Sequence, residues 1–256
     1  MLPRRTGLQA FGFLLAATGL ARSAAASLRP ALVPPGAKML DTLAARLASL
    51  TPRRDFKTVP MILDHRDQWD ADALDAVLHY PGGPKQSWDN TDLAGPWLNV
   101  MRNAMNAQIW SFGHPDFLCV SATHGSAQLA LYDEAMWQKY GLAKLAGGTI
   151  TANRFVAAKP ASSVDPTDFQ NTSGPFSGAA NSIQGLQARQ AVFLACHNAI
   201  WELSERLVAT GPNPDHLDVG ALTAELTNHL IPGVVLTPGA VGTLVELASN
   251  GFSYAR

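Results

Sequence analysis

Short apolar runs that do not alternate with polar residues recur along the chain: LDAVLHY at 74 to 80, FLCVSAT at 117 to 123, AVFLAC at 191 to 196, VVLT at 234 to 237 and FSYA at 252 to 255. A strand covered on one face alternates apolar with polar side chains. A continuous apolar run suits a strand covered on both faces, and such strands belong mostly to parallel sheets. Between the runs the pattern turns helical over 96 to 112, 126 to 140, 198 to 209 and 240 to 249. Gly95-Pro96 opens the first of these, and Gly141, Gly211 and Gly251 close the others, the expected placement of proline and glycine. Thr237 stands where it can cap the last helix. Strands joined through helices by crossovers longer than about a dozen residues predict an α/β three-layer sandwich around a mostly parallel, five-stranded, doubly wound sheet.

Two segments depart from this rhythm. In AKMLDTLAARLASL, residues Leu40, Leu43, Leu47 and Leu50 recur at helical spacing, which predicts an amphipathic helix lying on another surface. Residues 27 to 73 are therefore expected to form an N-terminal helical extension, ahead of an α/β domain over 74 to 256. Residues 145 to 181 are rich in Gly, Ser, Pro, Thr and Asn, a long loop insertion of the kind that is functional or mobile in compact domains. It is either a solvent-exposed excursion or a flap over the sheet edge, with Arg154 and Phe155 as contact residues.

The first 26 residues carry Arg4 and Arg5, a mildly apolar stretch to Leu20 and small residues at Ala24 to Ala26. This is the form of an export signal, and the adjacent arginines point to the twin-arginine route. The mature chain is expected to begin near Ser27 and to reside in the periplasm. The apolar stretch is shorter than the roughly 20 residues of a spanning helix, so no stable membrane insertion is expected after cleavage. Without the three arginines of the signal, 16 basic and 20 acidic residues remain, a net charge of −4. With no basic cluster to neutralise phosphates, nucleic acid is not an expected partner. A hydrophobic content of 47% suits one large core that does not depend on disulfides.

The chain has two cysteines, Cys119 and Cys196. If their strands are parallel with aligned ends, Cys119 lies several residues back, roughly 13 Å along the sheet at 3.3 Å per residue. A disulfide needs Cα atoms within about 7 Å, so Cys119 is expected in the core and Cys196 at the carboxyl end of its strand.

Three stretches, FLCVSATHGSAQLAL, VFLACHNAI and HLIPGVVLTPGAVGTLVELASNGFSYAR, resemble DsrE/DsrF-like proteins. They resemble, in order, the family's second strand ending in His-Gly, its third strand ending in a cysteine, and its closing strand, small-residue helix and last short strand. The resemblance covers about residues 74 to 141 and 183 to 256. It implies an α/β sandwich that forms homo-oligomers. In several members a cysteine at this strand end carries sulfur as a persulfide, which here would be Cys196. The implied partner is then a small sulfur-containing molecule or a sulfur-relay protein.

The residues support a parallel argument. In open α/β sheets ligands gather beyond the carboxyl ends of the strands. Cys196 is expected there, followed by a helix whose first N–H groups and positive dipole end favour thiolate over thiol. His79, His124 and His197 each fall at or just past a predicted strand end. Cys196 and His197 are the candidate catalytic pair, with His124 as another group able to hold the thiolate. His79, His124, Lys85 and Arg154 are candidate ligand-binding residues, and Trp88 is a possible edge contact. Imidazole and thiolate together also suit zinc or copper, but no short metal spacing is present, and no metal or cofactor is assigned. HYPGGPKQSWDN at 79 to 90 is expected as a strand-to-helix loop, since it lacks the glycine spacing of a nucleotide fingerprint. ATHGSAQ lacks the Gly-x-Ser-x-Gly elbow, so Ser126 is expected to cap a helix. The tryptophans at 97, 110, 137 and 201 are expected to pack in the core. A non-catalytic small-ligand, metal-binding or assembly module of the same fold stands as the alternative function.

Overall fold

A computed structural model describes residues 32–148, 150–156, 165 and 167–256. The expected export signal and the residues around Ser27 lie outside them. Five strands, β1 (Lys85–Asn90), β2 (Leu118–Thr123), β3 (Val192–Cys196), β4 (Val234–Thr237) and β5 (Ser253–Ala255), form one sheet in the order β4-β3-β2-β1-β5. Every adjacent pair is parallel. The α/β sandwich expected from the apolar runs is present.

The chain steps from β1 to β4 in one direction across the sheet. The connections carry α3 (Trp97–Asn106), then α4 (Glu134–Lys139), α5 (Leu142–Leu145) and α6 (Ile183–Gln187), then α7 (His197–Thr210) and α8 (Val219–Asn228). From β4 it crosses back through α9 (Ala240–Ser249) to β5 beside β1. Parallel crossovers keep one hand, so reversing direction sends α9 to the opposite face. The packing agrees. Trp88, Cys119, Phe193, Ala195 and Leu236 pack with Met101 and Met105 of α3, Ile200 and Leu207 of α7, and Leu222 and Leu226 of α8. Leu118, Val120, Val192, Leu194 and Val235 on the other face pack with Leu247 of α9 and with two preceding helices, α1 (Lys38–Ser49) and α2 (Ala71–Leu78). The amphipathic segment near 37 to 50 is thus a covering helix of the sheet, with Leu40 and Leu43 buried. Each such leucine contributes about 1.5–3 kcal/mol by leaving water.

Residues 74 to 78 are the end of a helix, not a strand, with His79 as its C-cap and Tyr80 beyond it. Leu74, Val77 and Leu78 fall three and four residues apart and bury one face of α2, a spacing that seven residues display too briefly to separate from a strand. The strand expected there is β1, inside the segment expected as a loop. The helix expected over 126 to 140 is broken: a 3₁₀ stretch covers Gly125–Leu131, and α4 starts afresh after Asp133, whose side chain accepts from the Met136 N–H. Helix α8 was not expected at all; Asp218 caps it by accepting from Ala221. Thr237 does not cap α9. Its hydroxyl donates to the Ala195 carbonyl at 2.9 Å, and Gly239 takes the N-cap position.

Of the insertion, some described residues pack against the molecule, Ile150, Asn153, Phe155 and Phe176 being buried, while others, Arg154 among them, are exposed. Phe169 stacks on Trp110 at 4.5 Å between ring centroids and Phe176 meets the same ring edge-on. Trp110 lies in the π-helical turn Ala107–Ser111 at the far end of α3, beside the amino ends of the strands. The edge of β4 is covered as well. Asp70 exchanges bonds with Leu236, donating its N–H to the carbonyl and accepting the Leu236 N–H on Oδ2, and Arg54 donates to the Val234 carbonyl. Such cover keeps an edge strand from pairing with another chain.

Candidate functional site

The connections after β3 and β4, neighbours in the sheet, leave to opposite faces. α7 takes one and α9 the other, and such a divergence is where open α/β sheets bind ligands. Cys196 is the last residue of β3, registered with Thr237, the last of β4. Its Sγ accepts the N–H of Ala199 in the first turn of α7 at 3.4 Å and the N–H of Ala240, the first residue of α9, at 3.2 Å. Two helix amino termini from opposite faces thus point at one sulfur, and such N–H groups favour negative charge there. The Cys196 N–H donates to Gln128 Oε1 at 3.0 Å, which finishes the hydrogen bonding of the strand end.

Against these donors stands burial. Cys196 is 4% exposed and packs with Ala122 and Ala240, flanked by Ala199 and Leu244. Burial pushes its thiol above the ordinary value of 9.0 and outweighs the N–H groups of Ala240, Ala199 and Asn198 that pull it down. The depressed thiol expected from the sequence is therefore corrected: near neutral pH the resting side chain is a thiol.

His124 follows β2, its N–H donating to the Asn90 carbonyl in continuation of the ladder. Thr123 is registered with Ala195, so one step further sets His124 beside Cys196 on the adjacent strand, about 5 Å away between backbones. Both positions face the α9 side, as Ala122 does. The imidazole Nε2–H donates to Asp89 Oδ1 at 2.7 Å, and the Tyr254 hydroxyl donates to Asp89 Oδ2 at 2.7 Å. Partial burial pushes the Asp89 carboxyl up. The bonds from His124 and Tyr254 and the charges of His124 and Arg256 together outweigh it and hold the carboxyl below its ordinary value. Gly125 makes the turn after His124 possible. Its φ is +55°, and a Cβ there would stand 2.7 Å from the Thr91 carbonyl oxygen.

The other expected residues are elsewhere. His197 begins α7, is buried, and its Nε2–H donates to the Pro60 carbonyl at 2.9 Å. Burial pulls its pKa down, so it is a neutral clasp on the 60–61 segment and is not placed to serve the thiol. His79 follows a helix, not a strand; its ring Nδ1 meets the Asp75 carbonyl at 2.9 Å and it caps α2. Lys85 starts β1 at the amino end of the sheet, its ammonium donating to the Tyr80 carbonyl and lying over the Phe252 ring. Arg154 is exposed and lies over Phe155. Trp88 is buried in the core. Ser126 donates to the Thr91 carbonyl and accepts from Leu93 N–H, tying two loops together. The set of three imidazoles and a thiol is not assembled, and among the described residues no cluster of three or more His, Cys, Asp or Glu is placed to hold a metal ion. Cys119 lies at the amino end of β2, and both cysteines are free and buried. A cavity of about 1200 Å³ lies between α1, α2 and the starts of β3 and β4, lined by Leu43, Trp69, Gln187 and Val234 among others; Cys196 does not line it.

Asp89, Tyr254 and Gln128 were not expected from the sequence. The His-Gly after a strand pointed to His124, but no local signal pairs it with a carboxylate 35 residues earlier. Comparison with protein-family models, with curated proteins and with solved structures finds no match. No helix among the described residues is long and apolar enough to cross a membrane.

Proposed function

We propose that the carboxyl edge is a sulfur-acceptor site in which Cys196 takes a sulfane sulfur and holds it as a persulfide. The protein is read as DsrE-like, exported to the periplasm by the twin-arginine route, self-associating, and served by a small sulfur compound or a relay protein. The observation that carries this reading is the pair of N–H groups, from Ala199 and Ala240, aimed at one Sγ from two helices. A persulfide is a stronger acid than a thiol, and its charge would lie where those helix ends favour it. The transfer is a thiol exchange. The Cys196 thiolate attacks the outer sulfur of a donor R–S–SH, the new S–S bond forms as the donor's S–S bond breaks, and the donor leaves as R–S⁻. No net oxidation occurs. Because burial keeps Cys196 protonated, its proton must go to a base, and His124 stands just past the end of the adjacent strand with Asp89 behind it. In this scheme Cys196 is the catalytic residue, while Asp89 and Tyr254 position His124.

The 4% exposure of Cys196 favours a second reading, in which the thiol only caps α7 and α9 and the domain is a non-catalytic ligand-binding or assembly module. Intact-mass measurement after incubation with a sulfane donor decides between them. One added sulfur on the wild type and on Cys119→Ala, absent from Cys196→Ala, is expected for the acceptor. A folded wild type that stays unmodified, while its unfolded form is labelled, leaves only the cap.

A further inference from the structure

Arg189 lies just before β3, at the amino end of the sheet, and is 1% exposed. None of its Nε, Nη1 and Nη2 atoms has a hydrogen-bond partner. A guanidinium stays charged in proteins, and a buried charge without a partner is among the costliest arrangements a fold can contain. The chain does not supply the missing anion. All 20 acidic residues fall within the described residues, and no carboxylate pairs with Arg189 or with Arg102, the second cation of this region. Arg102, on α3, donates Nη2 to the neutral side-chain oxygens of Asn99 and Asn103, and its Nε is also buried without a partner.

The surroundings form a wall with N–H groups on it. The Arg189 guanidinium lies over the Phe176 ring at 4.9 Å, and Phe176 packs edge-on against Trp110, whose buried Nε1–H has no acceptor. Arg102 Nη1 lies where a side chain at position 178 would begin, 3.0 Å from a Cβ placed on Gly178. Beside α3 and the 169–178 segment there is thus one enclosed guanidinium, Arg189, with a half-buried one, Arg102, and a buried indole N–H, all donors. Cys119 does not serve as the counter-ion. Burial pushes its thiol up to about 12 against the opposing influence of Arg189 and Trp88, so it is neutral near pH 7. Arg189, pulled down by burial to about 9, is still charged there.

We propose that this chain binds a doubly charged tetrahedral oxyanion, of the sulfate or hydrogen phosphate class, against Arg189 and Arg102 beneath the 169–178 segment. Two cations call for two negative charges. The planar donor fork of arginine matches oxyanion geometry with paired bonds. The site is separate from the thiol. Arg189 lies before the start of β3 and Cys196 at its end, with the five steps from Ala191 to Cys196 alone spanning roughly 16 Å at 3.3 Å per residue, so this proposal stands or falls independently of sulfur transfer.

The test uses the full chain exchanged into sodium chloride, then titrated with sodium sulfate or sodium phosphate at constant ionic strength and low millimolar concentration. Sulfate stabilises proteins generally by exclusion from their surface, but that effect does not saturate at such concentrations. A saturating rise in melting temperature is expected, about 4 °C or more once the anion exceeds its Kd a hundredfold. Arg189→Met should lose this rise and melt above the wild type in chloride alone, as replacement of a bare buried charge by an apolar chain predicts. Equilibrium dialysis with radiolabelled sulfate should give about one site per wild-type chain, weakened in Arg102→Gln and competed by phosphate. If Arg189→Met does not fold, dialysis of the wild type alone decides, and absence of saturable binding overturns the proposal. So does an identical sulfate response in wild type and Arg189→Met. A thiolate absorbance at neutral pH that disappears in Cys119→Ala overturns it too, since Arg189 would then have its counter-ion within the chain.

Discussion

Cys119 at the amino end of β2 and Cys196 at the carboxyl end of β3 are both buried, and burial pushes both thiols up. They differ in their company. Around Cys196 the thiol and the strand end are paired: its sulfur accepts from two helices, its N–H goes to Gln128 Oε1, and Asp89 holds both His124 and Tyr254, while the neutral Gln128 Nε2, His197 Nδ1 and Tyr132 hydroxyl stay buried without partners. Around Cys119 the donors have nothing to donate to, Arg189 foremost. Parallel strands ending in helix amino termini make one pole of the sheet a natural place to receive negative charge. The opposite pole has no such provision, and cations there must find an anion by other means. Burial by itself therefore says little about the role of a cysteine; the hydrogen-bonding state of its neighbours says more.

The sharpest way to break this contrast is alkylation of the native protein. Cys119, fully enclosed, should react only through global unfolding. With a stability of 5 kcal/mol or more, its rate should fall on the order of a thousandfold or more below that in denaturant, whereas Cys196, at the carboxyl end of its strand, should need only local opening of the α7 and α9 amino termini. Equal protection of both, measured by mass spectrometry of labelled peptides, would erase the difference. Next in size is Gly125→Ala. A left-handed φ and a Cβ 2.7 Å from the Thr91 carbonyl oxygen should together cost about 2 kcal/mol or more in urea unfolding. A cost under about 0.5 kcal/mol would mean the His124 turn is looser than described.

Asp89→Asn should slow sulfur loading of Cys196 about tenfold while leaving Cys119 unreactive, an effect on the order of 1.4 kcal/mol in activation free energy. An unchanged rate, with unchanged dependence on pH, would detach His124 from the thiol chemistry. The smallest effect concerns acid stability. Asp89 is held below its ordinary value of 3.8, so its contribution is present above that value and is lost as pH falls through the lower folded one. Thermal melts across this window should show wild type losing the advantage it holds over Asp89→Asn, by no more than about 1 kcal/mol. A constant gap across the window would assign the difference to packing.

Much of the architecture was legible because β2, β3 and β4 are buried on both faces and therefore continuously apolar. Their carboxyl ends, with Cys196 and His124, could be located from the same runs. β1 was not legible. KQSWDN carries Lys85, Gln86, Ser87, Asp89 and Asn90, yet it lies second from the edge, and its polar atoms are met by neighbours distant in sequence. Asn90, for example, donates to Ser121 Oγ at 2.8 Å and Ser87 donates to the Ser253 carbonyl. Local apolarity cannot report bonds formed across the sheet, so the strand signal was drawn to α2. The error carried His79 and Lys85 to the wrong pole. It also hid Asp89, which is on the missed strand, and Tyr254, whose role depends on β5 lying beside it. Arg189 gave no local signal, since nothing in QARQAV distinguishes a solvated arginine from an enclosed one.

The return of β5 to the side of β1 has a consequence for biosynthesis. On the ribosome the nascent chain can assemble β1 through β4 in the order they emerge, each strand joining the growing edge. β1 waits for its second neighbour until residues 253 to 255 arrive, and the phenol that steadies Asp89 comes with them. The pole carrying the thiol is therefore the last part of the molecule to be completed.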